Sequence, residues 1–232
     1  DVLTMAKGKD GNLFQHTIEL EAAAFLLRTS GARGLYFATT HAMAPDEPLD
    51  AGAEAARVET SSLLLSKLRI AAGAGGDASR HPLVVRAFAA LGASAAKYPN
   101  SAKLLEWLGT QEGATLSGAI AELEPSKIAS LRDHFAGSSV QVLAGSWRQH
   151  LEALRPPADL ATPWLFSMDP MKFTSGSDAD GNKMTTWDFA RLTPIWQAYL
   201  AQSQPGVVAV FSYSMQRDQR EHFLSALNLK RT

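Results

Sequence analysis

The sequence predicts an α/β fold: a mostly parallel sheet with helices on both faces and a helical insertion after the first strand. Three observations lead there. Apolar runs of strand length alternate with helical stretches through the second half of the chain, the pattern of a wrapped parallel sheet with right-handed crossovers. The 232 residues, 46% hydrophobic and 19% charged, suit a single globular domain with a full core. Ala-rich windows such as "ELEAAAFLL" and "LVVRAFAALGASAA" favour helices, because Ala has the best intrinsic propensity.

The elements follow in order. From Gly11 to Gly31, apolar residues at Leu13, Ile18, Leu20, Phe25, Leu26 and Leu27 have helical spacing, and a glycine closes the segment. "GLYFATTHA" reads as a buried strand, Leu35 to Thr40, opening into "HAMAPDEP", where two prolines stop regular structure. Residues 51–97 form the helical insertion, with stretches Ala53–Ala72 and Pro82–Lys97 separated by the Gly-rich "GAGGDAS". This linker is not a phosphate loop, since no strand precedes it and no Lys-Ser/Thr follows. A turn and helix come next in "YPNSAKLLEWLGTQ".

Regular alternation begins after that. "TLSGAIAELEP" is a strand ending near Glu122, and "SKIASLRDHF" a helix with Ser126 as its expected cap. "SSVQVLAGS" is a strand, "WRQHLEAL" a helix and "TPWLFSMDP" a strand. "TTWDFARLTPIWQAYLAQSQPG" predicts a helix broken or kinked near Pro194. A strand in "GVVAVFSYS" and a helix in "MQRDQREHFLSALNL" complete the pattern. The loop "TSGSDADGNKMTTWD" is long and polar and reads as a mobile substrate lid. It is a poor calcium loop, because Lys183 and Phe189 stand where glycine and a carboxylate are required.

Composition excludes several functions. The formal charge of −1 gives no global attraction to polyanions, so a nucleic-acid partner needs a local basic face. With no cysteine, disulfide frameworks, thiolate zinc sites and a cysteine nucleophile are excluded. No apolar run reaches the roughly 18–20 residues of a membrane span. No secretory signal pattern is visible, and a cytoplasmic location is the expectation. The first residue is Asp1 rather than Met, as expected of a trimmed terminus. No nucleophile elbow, His-Glu-x-x-His, Walker loop or paired-carboxylate signature appears.

In open parallel sheets, ligands bind outside the carboxyl ends of the strands. That rule selects the residues just after the predicted strands: His41, Glu122, Gly145, Asp169 and Tyr213.

Six segments, in order, carry a resemblance to a known family. They are "GNLFQH" with Asn12 and His16, "TTHAMAP" with Thr40, His41 and Ala42, "YPNSA" (Tyr98 to Ala102), "ELEP" (Glu122 to Pro125), "LAGSW" (Leu143 to Trp147) and "DPMK" (Asp169 to Lys172). Over roughly Gly11 to Met215 the chain resembles the bacterial ribosomal-RNA adenine-N6 methyltransferases of the RlmJ type. The resemblance implies a Rossmann-like methyltransferase sheet with an inserted helical subdomain, and S-adenosylmethionine as cofactor. It implies cofactor contacts from His16, His41, Ser101, Glu122 and Ser146, with the Glu122 carboxylate accepting from the ribose hydroxyls. Asp169 and Pro170 are then the acceptors that hold an exocyclic amine in line with the methyl donor, and Phe173 the aromatic that stacks on the base.

Three departures bear on activity. Met43 and Pro45 stand where the resemblance implies glycines, "AGS" replaces Ala-Asp-Gly, and Met171-Lys172 replace Pro and an aromatic. Three readings therefore stay open: a methyltransferase for adenine in RNA or DNA, a methyltransferase for a small-molecule substrate, and a degenerate fold with a binding or assembly role. None involves a membrane.

Overall fold

The computed structural model describes residues 10–47, 82–93, 98–169, 172–174 and 183–211. Helix α1, Asp10–Ser30, turns its buried Leu20, Ala23, Ala24 and Leu27 inward and leaves Phe25 in solvent. Strand β1, Gly34–Thr39, is buried at every position, as a central strand covered on both faces must be. Two short strands, β2 (Asp46–Glu47) and β3 (Tyr98–Pro99), pair antiparallel and bring the start of the next helical region back beside the loop after β1.

Between them lies helix α2, Leu83–Ala90. Its Leu83, Val84, Ala87 and Phe88 enter the same core as α1. The expected extension to Lys97 does not occur. Gly92 adopts φ +65°, and the Ala93 N–H bonds back to the Phe88 carbonyl at 2.9 Å, a closing turn that ends the helix. The first predicted stretch of the insertion, Ala53–Ala72, lies outside the described residues.

Helix α3, Ser101–Glu112, is capped by Asn100, whose side chain accepts from the Lys103 N–H. Strand β4 (Thr115–Glu122), helix α4 (Pro125–His134) and strand β5 (Ser139–Ala144) follow as expected. Glu124, not Ser126, occupies the cap position of α4. Pro125 suits the first turn, where its missing N–H is no loss, and Ser126 instead donates to the Glu124 carboxylate at 2.7 Å.

The expected helix in "WRQHLEAL" is a 3₁₀ turn, Trp147–Gln149, followed by irregular turns. Buried Trp147 and Leu154 anchor this segment against the sheet, and Pro156-Pro157 bar a regular extension. Strand β6, Trp164–Met168, is fully buried. Strands β7 (Lys172–Thr174) and β8 (Lys183–Thr185) pair with each other at the two ends of the predicted lid, whose middle lies outside the described residues. Helix α5, Thr186–Leu200, runs unbroken through Pro194. The proline sits on the exposed side of the helix. Strand β9 is Gly206–Val210, and the helix expected after it lies outside the described residues.

The five long strands form one sheet in the order β5-β4-β1-β6-β9, all parallel. One face, with Leu35, Phe37, Ile120 and Leu165, packs on α1, α2, α3 and α4. The other, with Tyr36, Ala38, Phe166 and Met168, packs on α5 and the segment from Trp147 to Leu160. No helix among the described residues is long and apolar enough to cross a membrane. The order reverses beside β1: the chain builds β4 and β5 on one side, then returns to place β6 and β9 on the other. A crevice opens at such a switch point, between the carboxyl ends of β1 and β6.

Candidate functional site

A cleft with about 320 Å³ of empty space, counting its open mouth, lies at that point. Each wall comes from a different element. Helix α1 supplies Gln15 and His16, the end of β1 Thr39, and the following loop His41 and Met43. The first turn of α3 supplies Asn100 and Ser101, and the end of β6 supplies Asp169.

His16 is 2% exposed. Its Nδ1 lies 3.4 Å from Glu19 Oε2 and 3.3 Å from Ser101 Oγ. The ring packs against Tyr98, with centroids 5.6 Å apart, and edge-on to Phe88. Its Nε2 is buried with no hydrogen-bond partner among the described residues. A buried polar nitrogen without a partner is costly, so one in a cleft wall is a natural contact for a ligand.

Glu19 lies one helical turn beyond His16 and is 1% exposed. Gln15 Nε2 donates to its Oε1 at 3.2 Å, and Ser167 Oγ, reaching across from β6, donates to the same oxygen at 2.5 Å. Burial alone would raise its pKa. The His16 hydrogen bond and charge, with the Ser101 and Ser167 hydroxyls, outweigh that and hold the carboxyl below the usual range. Glu19 is therefore a buried carboxylate at neutral pH.

Asp169 presents the opposite balance. It is half-buried at the end of β6. Burial, reinforced by the charge of Glu19, pushes its pKa up to about 7. Two carboxyl groups thus sit near each other in different states, an arrangement typical of functional sites.

The loop after β1 holds its shape without glycines. The Ala42 N–H bonds to the Ala121 carbonyl at 2.8 Å, Asn100 Nδ2 donates to the Met43 carbonyl at 2.6 Å, and the Asn100 N–H reaches the Pro45 carbonyl at 3.3 Å. Asn100 therefore caps α3 and clamps this loop at once. His41 Nδ1 lies 2.7 Å from Thr40 Oγ1. The Lys103 ammonium pairs with Asp46 beneath the same loop.

Of the residues singled out from the sequence, the fold brings His16, His41, Ser101 and Asp169 to one cleft. Glu122 and Ser146 lie at or just beyond the carboxyl ends of β4 and β5, on the same edge of the sheet but outside the cleft wall. Glu122 Oε1 accepts from the N–H groups of Leu123 and Glu124, both at 2.8 Å, and so shapes the turn into α4. Pro170 and Tyr213 lie outside the described residues, and Phe173 is placed by its backbone in β7. Sequence reasoning missed Glu19 and Ser167. Both carried a signal: Glu19 follows Gln15 and His16 at i+4 and i+3, and Ser167 is a lone hydroxyl in an apolar strand.

No protein-family model matches the chain, and no curated protein does. Among solved structures, the chain is similar to protein LPL1258 from Legionella pneumophila str. Philadelphia 1, of family model DUF519, with a TM-score of 0.57 and 15% identity. The match covers 94% of this chain and 73% of that one. At this identity the likeness concerns the fold, and it agrees with the five-stranded parallel α/β sheet described above.

Proposed function

We propose that the chain is an S-adenosylmethionine-dependent methyltransferase acting on an amine, with the exocyclic amine of adenine in RNA or DNA as the acceptor the sequence resemblance favours. The observation that carries this reading is the cleft between β1 and β6, which joins the unpartnered Nε2 of His16 to Asp169. The donor set suits the cofactor's amino-acid tail. His16 and His41 offer ring nitrogens, and the first turn of α3, with Ser101, offers the positive end of a helix to a carboxylate. Glu122 and Ser146, at the carboxyl ends of β4 and β5 along the same sheet edge, would hold the adenosine, as the resemblance implies.

When bound, S-adenosylmethionine supplies an electrophilic methyl group on a sulfonium. Asp169 accepts a hydrogen bond from the acceptor amine and fixes its lone pair in line with that methyl. A carboxyl group poised near 7 also takes up the proton that the nitrogen sheds on methylation. His16, held between Glu19 and Ser101, would be fixed in place to contact the amino-acid tail.

A second reading, a methyltransferase-like fold kept for binding or assembly, is favoured by Met43, which lines the cleft where the resemblance implies glycine. Thermal denaturation with S-adenosylhomocysteine separates the two. A ligand of the native state raises the melting temperature by mass action, and no shift at millimolar concentration sinks the enzyme reading. The acceptor is tested by binding a ribosomal-RNA fragment at two salt concentrations. Affinity that falls steeply with salt supports a nucleic acid, and absent or salt-independent binding points to a small molecule.

A further inference from the structure

We propose that Glu19 is a positioning residue that fixes a proton of His16 on Nδ1, so that Nε2 meets the cleft as a hydrogen-bond acceptor and takes the α-ammonium group of an amino-acid tail. This deepens the reading above and rests on it for the identity of the ligand. Glu19 is buried and does not line the cleft; it acts through the imidazole.

An imidazole with one proton has two tautomers, and the hydrogen bond at one nitrogen decides what the other can do. Around Nδ1 of His16 stand two acceptors. Glu19 Oε2 lies 3.4 Å away, and a carboxylate only accepts. Ser101 Oγ lies 3.3 Å away, and that hydroxyl gives its single proton to Glu19, which leaves its lone pairs for the ring. The proton therefore belongs on Nδ1. Tyr98 and Phe88 pack against the ring, and a flipped ring would turn a C–H toward the carboxylate.

The carboxylate is itself held in one orientation. Its other oxygen, Oε1, accepts from Gln15 Nε2 at 3.2 Å and from Ser167 Oγ at 2.5 Å. These donors come from α1 and β6, so two elements grip Glu19 and leave Oε2 turned to His16. What remains of the ring's hydrogen-bonding capacity is the Nε2 lone pair. Nε2 is buried without a hydrogen-bond partner among the described residues, and His16 forms part of the cleft wall. A lone pair in that position is satisfied by a ligand donor and not by a second acceptor. The cofactor's tail offers one such donor, its α-ammonium. The tail carboxylate is then left to the first turn of α3.

Nitrogen NMR of the full chain, labelled at histidine and recorded at pH 8, reads the tautomer directly. The wild type should carry the His16 proton on Nδ1. A proton on Nε2, alone or together with one on Nδ1, overturns the proposal, and this spectrum needs no variant. Glu19→Gln is nearly isosteric and should invert the tautomer. Gln15 and Ser167 donate at the Oε1 position, so the new amide oxygen takes that place and its NH₂ group turns to Nδ1, which drives the ring proton to Nε2. An unchanged tautomer in this variant overturns the role of Glu19.

Calorimetry with S-adenosylhomocysteine, and with its analogue lacking the α-amino group, reads the consequence for binding. In the wild type, loss of the amino group should weaken binding by about tenfold or more, as expected for a hydrogen bond to a charged group. In Glu19→Gln the difference should shrink to about twofold or less, because Nε2 no longer accepts. Equal weakening of both ligands marks general damage to the cleft and overturns the positioning role, as does an undiminished difference between them. If neither ligand binds the wild type, the methyltransferase reading falls. The His16 tautomer in the wild type and in Glu19→Gln then still decides whether Glu19 fixes the ring.

Discussion

Asp188 joins the two halves of the face opposite the cleft helices, and removing it is the most informative test of what holds the fold together. The carboxylate is 1% exposed and sits at the third position of α5. Arg148, from the turn after β5, reaches it with two parallel bonds, Nε to Oδ1 at 2.8 Å and a terminal nitrogen to Oδ2 at 2.7 Å. Oδ2 also accepts from the Thr185 N–H at 2.8 Å, closing a capping box. Burial would raise this carboxyl, but the Arg148 hydrogen bond and charge, with the Thr185 donors, hold it below the usual range. Asp188→Ala leaves Arg148, only 16% exposed, without this carboxylate and removes the cap. Breaking a buried pair costs about 3 kcal/mol and losing a cap about 1 kcal/mol. At roughly 2–4 °C per kcal/mol for a chain this long, the melting temperature should fall by roughly 8–16 °C.

Urea denaturation of the two single mutants Asp188→Ala and Arg148→Ala and of the double mutant isolates the pair. A coupling energy above about 1.5 kcal/mol is expected. A loss below about 1 kcal/mol for Asp188→Ala, with coupling near zero, refutes the assignment of this pair as the tie between β5 and α5. The pH dependence gives a second check. Because the folded pKa is depressed, the stabilisation is fully present above the unfolded carboxyl value of about 3.9. It is lost as pH falls through the folded value, so the wild-type advantage over Asp188→Asn should hold from neutrality to about pH 4 and shrink below it.

On the proposed methyltransferase reading, Asp169→Ala should abolish methyl transfer while leaving S-adenosylhomocysteine affinity within about threefold, because a neutral thioether gains little from the carboxylate; lost affinity in calorimetry would make Asp169 structural. Asn100→Ala removes both the α3 cap and the clamp on the Met43 carbonyl. Urea denaturation should show a loss of about 1–2 kcal/mol, and on the proposed reading S-adenosylhomocysteine affinity should fall with it. Gly118→Ala strikes the sheet itself: Gly118 has φ +145°, and an added Cβ would meet the Phe37 carbonyl oxygen at 1.8 Å. Since that neighbour is backbone of the paired strand β1, the cost should reach about 3 kcal/mol or more, and a stable, fully folded variant would contradict this geometry.

The sequence by itself determined the α/β class and nearly every central strand, because fully buried strands must be apolar along their length and helices between them must repeat every 3.6 residues. It also marked His41 and Asp169 as crevice residues, since both follow strands whose carboxyl ends face the switch point. Local pattern failed where a long-range partner decided the outcome. "WRQHLEAL" has helical composition, yet Trp147 is drawn into the core and the segment turns irregular. Pro194 signals a break or kink, yet α5 continues through it as one helix, with the proline on its exposed side.

The tertiary structure alone decided the chemistry of the cleft. Glu19 and Ser167 are 148 residues apart and become hydrogen-bond partners only because α1 crosses the end of β6. That crossing keeps one carboxyl group ionised and pushes its neighbour Asp169 to about 7. Ionisation depends on burial, nearby charge and donors, and these are set by which elements meet, not by which residues are adjacent along the chain.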